Sequence, residues 1–276
     1  MTFYKLFLLL FFIEISQNSF AQRGVNNYLA KEPRSGFVLI HYPKVEGEKS
    51  KYYFIYDHEV SVRDYQEFLS YLKKEQKYDI LTKVQPDSTK WIFGDKLPFR
   101  EYFYSKKYAT YPYSNYPIVC VSYEAAVEYC KWLEVLINNS KKETRTVTVR
   151  LPTNFEWVNS IYFSNKDAIY ATRLKDKLIE DKQYYLANFK NESQIYTKKK
   201  GVLIPLRHVN SFNPLDGGMF NMSGNVAEMI LSKGKIKGGH WNSVEEELKI
   251  VPVNSFDEPS VFVGFRPVMY YVENPD

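Results

Sequence analysis

Cysteine is nearly absent from this chain: its 276 residues hold Cys120 and Cys130 and no others. Two thiols are too few for a disulfide-built scaffold, so stability has to come from an ordinary apolar core. A chain of this length can bury one without difficulty. The apolar run from Leu6 to Ile13 is too short to span a bilayer, which asks for about 20 residues. Charge of one sign is scarce as well. Lys and Arg number 37 against 32 Asp and Glu, a net charge of +5. The one run of three basic residues, Lys198-Lys199-Lys200, reads as a solvated loop ahead of a phosphate- or lipid-binding patch. Nothing here points to nucleic acid. No internal repeat and no linker divides the chain.

What is present begins with a leader. "MTFYKLFLLLFFIEISQNSFAQ" gives a lysine, an apolar centre and a polar stretch ending Ser19-Phe20-Ala21-Gln22, the layout of a secretory signal cleaved after Ala21. Residues 1–21 carry one lysine and one glutamate, so the charge stays +5 without them. No cysteine stands near the cleavage point to take a lipid. The expectation is an exported protein, periplasmic or associated with the cell envelope and not lipid-anchored through a signal cysteine. Aromatics reach 17%, with 24 Tyr and 19 Phe. Large amphipathic rings suit the core of a loop-rich fold, and they equally suit stacking on carbohydrate.

After a flexible segment over 22–35, "SGFVLIHY" and "KYYFIYDHEV" read as two strands joined by the turn "PKVEGEKS". Ser61, with Asp64 three positions on, caps a helix whose buried stripe is Tyr65, Phe68, Leu69 and Leu72. Residues 77–117 show no periodicity and are punctuated by prolines. "PIVCVS" is strand-like and leads to Ser122, the cap of a second helix with Ala126, Tyr129, Cys130, Leu133 and Ile137 on one side. "TRTVTVRLP" alternates like a strand. Thr153 with Glu156 forms a capping box for a third, short helix carrying Trp157. Turns and short strands follow, ending "VFVGFRPVMYYV". One α+β domain over 36–272 is the expected organisation.

Six stretches occur in the order found in the sulfatase-modifying-factor, or formylglycine-generating-enzyme, family, which the chain resembles over about residues 36–272. They are "VSVRDYQEFL" (60–69), "YPIVCVSYEAAVEYCKWL" (116–133), "VRLPTNFEW" (149–157), "GGMFNMSGNVAEM" (217–229), "IKGGHW" (236–241) and "GFRP" (264–267). The resemblance implies a fold related to C-type lectins, poor in regular secondary structure. Within the family, "QPDSTKWIFGD…YFYSKKYATYPYSNYPIVCVSY" looks like the matching segment of gliding-motility and secretion-apparatus lipoproteins, from which this chain departs in lacking their lipid-attachment cysteine.

"NMSGNVAEMI" (221–230) follows the turn signal "NPLDGG", and its Asn and Gly are poor helix-interior residues. In the family the matching loop wraps a structural calcium ion. The resemblance implies side-chain oxygens from Asn221 and Glu228 and carbonyls from Gly224 and Val226. Calcium takes several hard oxygen ligands, and glycine lets a backbone turn its carbonyls inward. Asn221 stands where the family more often has aspartate, a loss of charge that weakens such a site. The other reading of these residues is a metal-free Asx-rich turn.

The family's enzymes oxidise a substrate cysteine with copper held by two thiolates lying between "GGxW" and "GFR". Here that interval, Asn242 to Val263, contains no cysteine. Glutamates and serines do not replace thiolates on soft Cu(I), so no copper is expected. Cys130 reads as a buried small residue before a functional thiol, and an exported protein also admits a disulfide to Cys120.

Other chemistries find less. His41, His58, His208 and His240 lack the close spacing of the family's iron-binding branch. Asp57-His58-Glu59 is dense in titratable groups, but neighbours on a strand point to opposite faces. Ser70 and Lys73 have nucleophile spacing at the end of an amphipathic helix, where ordinary surface is the expectation. His240 replaces a small residue and either lines a residual cleft or fills its hole. Arg150 and Arg266 are expected as buried structural ions. The function expected is a non-catalytic scaffold or binding subunit of a gliding or secretion machinery in the cell envelope, with envelope proteins as partners. The alternatives are an enzyme with relocated metal-dependent chemistry and a glycan-binding protein.

Overall fold

In Phe37–Tyr42 (β1) and Lys51–Tyr56 (β2) successive side chains face opposite ways, and the two strands pair antiparallel from Phe37↔Tyr56 to Tyr42↔Lys51. Ile40, Tyr53 and Ile55 enter one apolar cluster; Phe37 and Phe54 enter another on the opposite face. The sheet is therefore buried on both sides. The computed structural model describes residues 36–42, 51–92, 99–104, 113–140, 145–164, 175–179, 182–190, 205–212, 214–215, 217–248 and 253–272. The expected leader (1–21), the flexible segment (22–35), the turn 43–50 and Lys198 to Lys200 lie outside them.

Val147–Arg150 (β3) and Val268–Tyr271 (β10) complete the sheet in the order β1-β2-β10-β3, antiparallel throughout. The last strand of the chain thus inserts beside the second. Lys175–Ile179 (β4) and Lys182–Tyr185 (β5) form a separate hairpin. A second sheet is built from short pieces, Ala227–Met229 (β6), Lys235–Lys237 (β7), Asn254–Ser255 (β8) and Val263–Phe265 (β9), in the order β8-β7-β6-β9. Its β6–β9 pair is parallel, with Glu228 opposite Gly264.

Helices cover the sheets where caps and apolar spacing call for them. Val62–Lys74 (α1) starts at the capping box: Ser61 Oγ accepts from Asp64 N at 3.2 Å, and the Asp64 carboxylate accepts from Ser61 N at 3.0 Å. Tyr65, Phe68, Leu69 and Leu72 are buried, as their spacing predicts. In Tyr123–Asn138, capped by Ser122, the residues Ala125, Ala126, Tyr129, Cys130 and Trp132 are buried, while Leu133 and Ile137 pack half-buried at the edge. Asn154–Ser164 starts with Glu156 accepting from Thr153 N at 2.7 Å and runs longer than the short helix expected. Tyr65, Phe68, Tyr129, Trp132 and Phe265 form the aromatic centre, with Tyr65 stacked on Tyr129 at 5.9 Å and Tyr129 edge-on to Phe265 at 5.3 Å. Much of the aromatic load is core.

Two expectations are corrected. Residues 77–117 contain the short helices Tyr78–Lys83 and Phe99–Tyr104 and a 3-10 turn at Ser88–Lys90. Pieces of six residues or fewer are too short to show a period. "PIVCVS" is extended but joins no sheet. Its hydrogen bonds go to separate partners: Ile118 N donates to Val60 O, Cys120 N donates to Ser260 O, and Cys120 O accepts from Asp87 N. Cys120 lies at φ +59°, which ends any strand there.

Replacing Ser61 with Ala should lower stability by about 1 kcal/mol. The urea-unfolding midpoint should fall at unchanged m-value; an unchanged midpoint would mean the box contributes nothing.

Candidate functional site: a buried ion pair and its polar cradle

The loop over 217–226 is shaped by residues that tolerate a left-handed backbone. Asn221, Gly224 and Asn225 have φ of +52°, +79° and +60°. A Cβ on Gly224 would lie 2.3 Å from Asn188 O, so only glycine fits there. Gly224 N donates to Gly238 O, Asn225 N donates to Asn188 O, and Asn225 O accepts from Trp241 N. The clustering of Asn and Gly is thus explained by backbone shape and close approach.

Beneath the loop lies an ion pair out of reach of water. Arg266 and Glu228 are 0% and 1% exposed. Arg266 Nη2 meets Glu228 Oε1 at 2.7 Å, and Nε lies 3.1 and 3.0 Å from Oε1 and Oε2. Nη1 donates to Tyr56 O at 2.9 Å and Nη2 to Phe220 O at 2.7 Å. Trp157 Nε1 donates to Glu228 Oε2 at 2.8 Å. Lys237, also buried, carries its ammonium 5.2 Å above the Trp157 ring. Burial pushes the Lys237 pKa down to about 8.

A second carboxylate sits in an amide cradle. Glu59 is fully buried and accepts from Asn225 Nδ2 at 2.9 Å and Asn221 Nδ2 at 3.1 Å. Asn225 Oδ1 accepts from Arg207 N and Asn188 Nδ2, and the first of these fixes which way its amide faces. Asn221 Nδ2 also points to Val209 O at 2.9 Å. Burial raises the Glu59 pKa to about 8; Arg266 works against the shift and Glu228 adds to it.

The other candidates are spread over the molecule. β2 ends at Tyr56, so Asp57-His58-Glu59 is a bend and not the strand expected; His58 and Asp57 approach each other while Glu59 turns away, so the three do not converge. His58 Nδ1 donates to Glu59 O at 2.7 Å, its Nε2 lies 3.5 Å from Asp57 Oδ1, and the Glu59 carboxylate turns into the cradle. Ser70 and Lys73 are exposed. Arg150 is half-buried, short of the full burial expected, and forms a two-pronged pair with Glu156 at 2.8 Å. The His240 ring lies 4.5 Å from Phe262, where burial lowers its pKa and Glu247 opposes the shift. Cys120 and Cys130 are free and buried, not bridged. Burial pushes the Cys120 thiol up to about 12 and the Cys130 thiol higher still.

Of the calcium ligand set implied for Asn221, Gly224, Val226 and Glu228, the Glu228 carboxylate is already engaged within the protein. Both oxygens of Glu228 accept from Arg266, and one also accepts from Trp157, so its carboxylate is occupied and its charge balanced. Asn221 donates its amide nitrogen to Glu59 and Val209, bonds that do not engage Oδ1, the oxygen a cation would take. Among the described residues no group of three or more His, Cys, Asp or Glu side chains is placed to hold a metal. Sequence reasoning named Glu59 only within the Asp57-His58-Glu59 triplet, not as the centre of a cradle, and missed Lys237. The available signal was a charged residue set against apolar neighbours, Glu59 before Val60 and Lys237 after Ile236.

Comparison with known proteins gives the family. The sulfatase-modifying factor enzyme 1-like domain matches residues 23–270, starting ahead of the expected boundary at 36. No curated protein sequence matches the chain. The solved structure described as that of CarF shares 17% identity and a TM-score of 0.56, over 86% of this chain and 98% of its own. PvdO from Pseudomonas aeruginosa shares 18% identity and a TM-score of 0.50, over 85% and 91%. At such identities the likeness concerns the fold, which is formylglycine-generating-enzyme-like and α+β, as the six motifs implied.

The two shifted groups act on stability in opposite directions on either side of pH 8. Unfolded, Glu59 ionises near 4.5; folded, it keeps its proton to about 8. Its contribution is therefore complete below pH 4.5 and is lost as pH rises to 8, a change on the order of a few kcal/mol. Lys237 releases its proton near 8 when folded and near 10.5 when unfolded, so its own contribution recovers above 8, while the raised Cys120 and Cys130 thiols oppose it above 9. Urea midpoints between pH 5 and 8 should fall in the native chain and flatten in Glu59→Gln. An equal fall in both would exclude Glu59 as the cause.

Proposed function

We propose that this chain, which belongs to the sulfatase-modifying factor enzyme 1-like family, is a non-catalytic member serving as a scaffold or binding subunit in the cell envelope. The observation that carries the reading is the missing pair of thiols. Asn242 to Val263, the interval that holds them in the enzymes, contains no cysteine. The two cysteines elsewhere are buried, with pKa values that keep them as thiols at neutral pH, whereas Cu(I) chemistry needs thiolates.

The irregular segment before the Ser122 helix supports a binding role. It sets out a run of rings: Trp91 to Tyr102 at 4.8 Å, Tyr102 to Tyr113 at 5.4 Å, Tyr113 to Tyr116 at 5.6 Å and Tyr116 to His208 at 4.6 Å. Tyr102 is buried as the floor, Trp91, Tyr113 and Tyr116 are half-buried, and His208 and Arg207 are exposed. Large rings with a polar rim are the residue types that dominate protein interfaces. This is the segment whose sequence resembles the gliding-motility and secretion lipoproteins, so the partner we propose is an envelope protein. The leader over residues 1–21 is consistent with export to that compartment.

Two measurements test this. Given Cu(I) and a cysteine-containing peptide, the purified protein should consume oxygen no faster than buffer; turnover would make it an enzyme. Cross-linking in envelope membranes should recover one stoichiometric protein partner, and Tyr116→Ala with His208→Ala should reduce that recovery at least ~10-fold at unchanged melting temperature. Glycan-array binding lost in the same double variant would put a sugar in the partner's place.

A further inference from the structure

The outermost strands of a sheet carry backbone groups that no neighbouring strand uses, and proteins cover or blunt them. Three of the four outer strands in the two larger sheets are treated in that way. At β3, side chains of the Ser122-capped helix close the edge. Glu134 Oε2 accepts from Val149 N at 2.8 Å, and Asn138 bonds Val147 N at 2.8 Å and Val147 O at 2.9 Å. β9 is covered by the chain at Val60 and Ile118: Val60 N donates to Phe265 O, and a Cβ on Gly264 would lie 2.9 Å from Ile118 O. β8 is two residues long. β1 is the exception.

The register shows which groups of β1 face outward. Gly36 O accepts from Asp57 N, so by alternation Val38, Ile40 and Tyr42 also bond toward β2. Phe37, Leu39 and His41 turn their N–H and C=O groups the other way, and among the described residues no hydrogen bond meets them there. Val38 and Leu39 are half-buried and His41 is exposed. The strand "FVLIHY" has no proline, lysine, carboxylate or bulge to discourage pairing.

We infer that β1 is the pairing edge for a second copy of this chain, joined antiparallel about a two-fold axis at Leu39. That axis sets Leu39 against its own image and Phe37 against His41 of the partner subunit. All the outward residues of the strand then exchange both of their bonds, whereas an axis one residue to either side leaves Phe37 or His41 beyond the paired stretch. A two-fold interface brings a patch against itself, so a charged edge would repel its copy. This edge carries no Lys, Arg, Asp or Glu, and its one titratable ring, His41, falls opposite an aromatic. The pairing uses none of the rings assigned above to the envelope partner.

The mature chain should sediment as a monomer–dimer mixture half associated near ~10 µM, because pairing through one short strand buries less than the ~1,600 Å² of a standard interface. Leu39→Pro removes an outward N–H at an edge position where proline is tolerated, so it should fold and remain monomeric at ~10-fold higher concentration. As a second measure, mild oxidation of Leu39→Cys should give a disulfide-linked dimer at least ~10-fold faster than His41→Cys, since only position 39 meets its own image. The native thiols are buried and give no background. A native chain monomeric to ~100 µM would overturn the inference, as would equal cross-linking at the two positions or a dimer that Leu39→Pro leaves intact. Slow hydrogen exchange at the Leu39 amide in a monomer would overturn it by showing that the chain covers this edge itself. An envelope protein captured at position 39 in place of a second copy would overturn it by giving the edge to a foreign strand.

Discussion

Arg266 stands between β9 and β10, where the chain leaves the second sheet and enters the first. One arm of its guanidinium holds Tyr56, at the end of β2 in the first sheet, and its fork grips Glu228 in β6 of the second. The join between the sheets is therefore an ion pair, reinforced by Tyr56 N donating to Pro267 O and Val60 N to Phe265 O. A buried pair gains little over apolar packing when intact, yet losing one partner costs about 3–5 kcal/mol, because the other charge is stranded. The irregular segments satisfy that demand. Phe220 and Tyr56 turn in the carbonyls a guanidinium needs, Trp157 supplies the remaining donor to Glu228, and Gly238 approaches Trp157 closely enough that a Cβ there would sit 3.1 Å from the ring.

The same arithmetic of carbonyls explains the tyrosine content. A fold with few long strands leaves many backbone acceptors near its core, and a tyrosine fills volume while donating to one of them. Tyr65 reaches Val84 O at 2.7 Å, Tyr102 reaches Pro117 O at 2.8 Å and Tyr53 reaches Glu156 O at 2.5 Å. Phenylalanine at those sites would leave the carbonyl to find another partner. Rings at the margin of this core, Tyr113 and Tyr116 among them, remain partly open to solvent.

What could be read from the sequence follows the same division between local and distant. The caps at Ser61, Ser122 and Thr153, and the stripe from Tyr65 to Leu72, are written in residues three or four apart, and the structure has them where the spacing says. Family motifs supplied the rest of the architecture. The helices of 77–117 were hidden by their brevity. "PIVCVS" was misread because it has strand composition but bonds three different segments in turn. The polar cradle was least legible: Asn225 meets Glu59 across 166 residues, and no local pattern encodes a contact that long. Asn221 and Glu228 stand out in the sequence, and the structure gives them as partners a buried acid and an arginine that lie far away along the chain.

The parts that hold this fold and the parts that carry chemistry in the family's enzymes are different residues under different constraints. Arg266, Glu228 and Trp157 are inaccessible, mutually bonded and intolerant of single change. The interval between Trp241 and Gly264 is bound by fewer such demands. His240 and Trp241, which precede it, rest on its Phe262, and it runs through a 3-10 turn whose first three residues, Glu245 to Glu247, are exposed. Cysteines can be absent from such a segment at little structural cost, because among its described residues no buried ion or cap depends on a sulfur. A chain can therefore keep the architecture and lose the oxidase. Its interior stays fixed by charge pairing in which neither partner can be lost alone, while the residues at its surface answer to no such constraint.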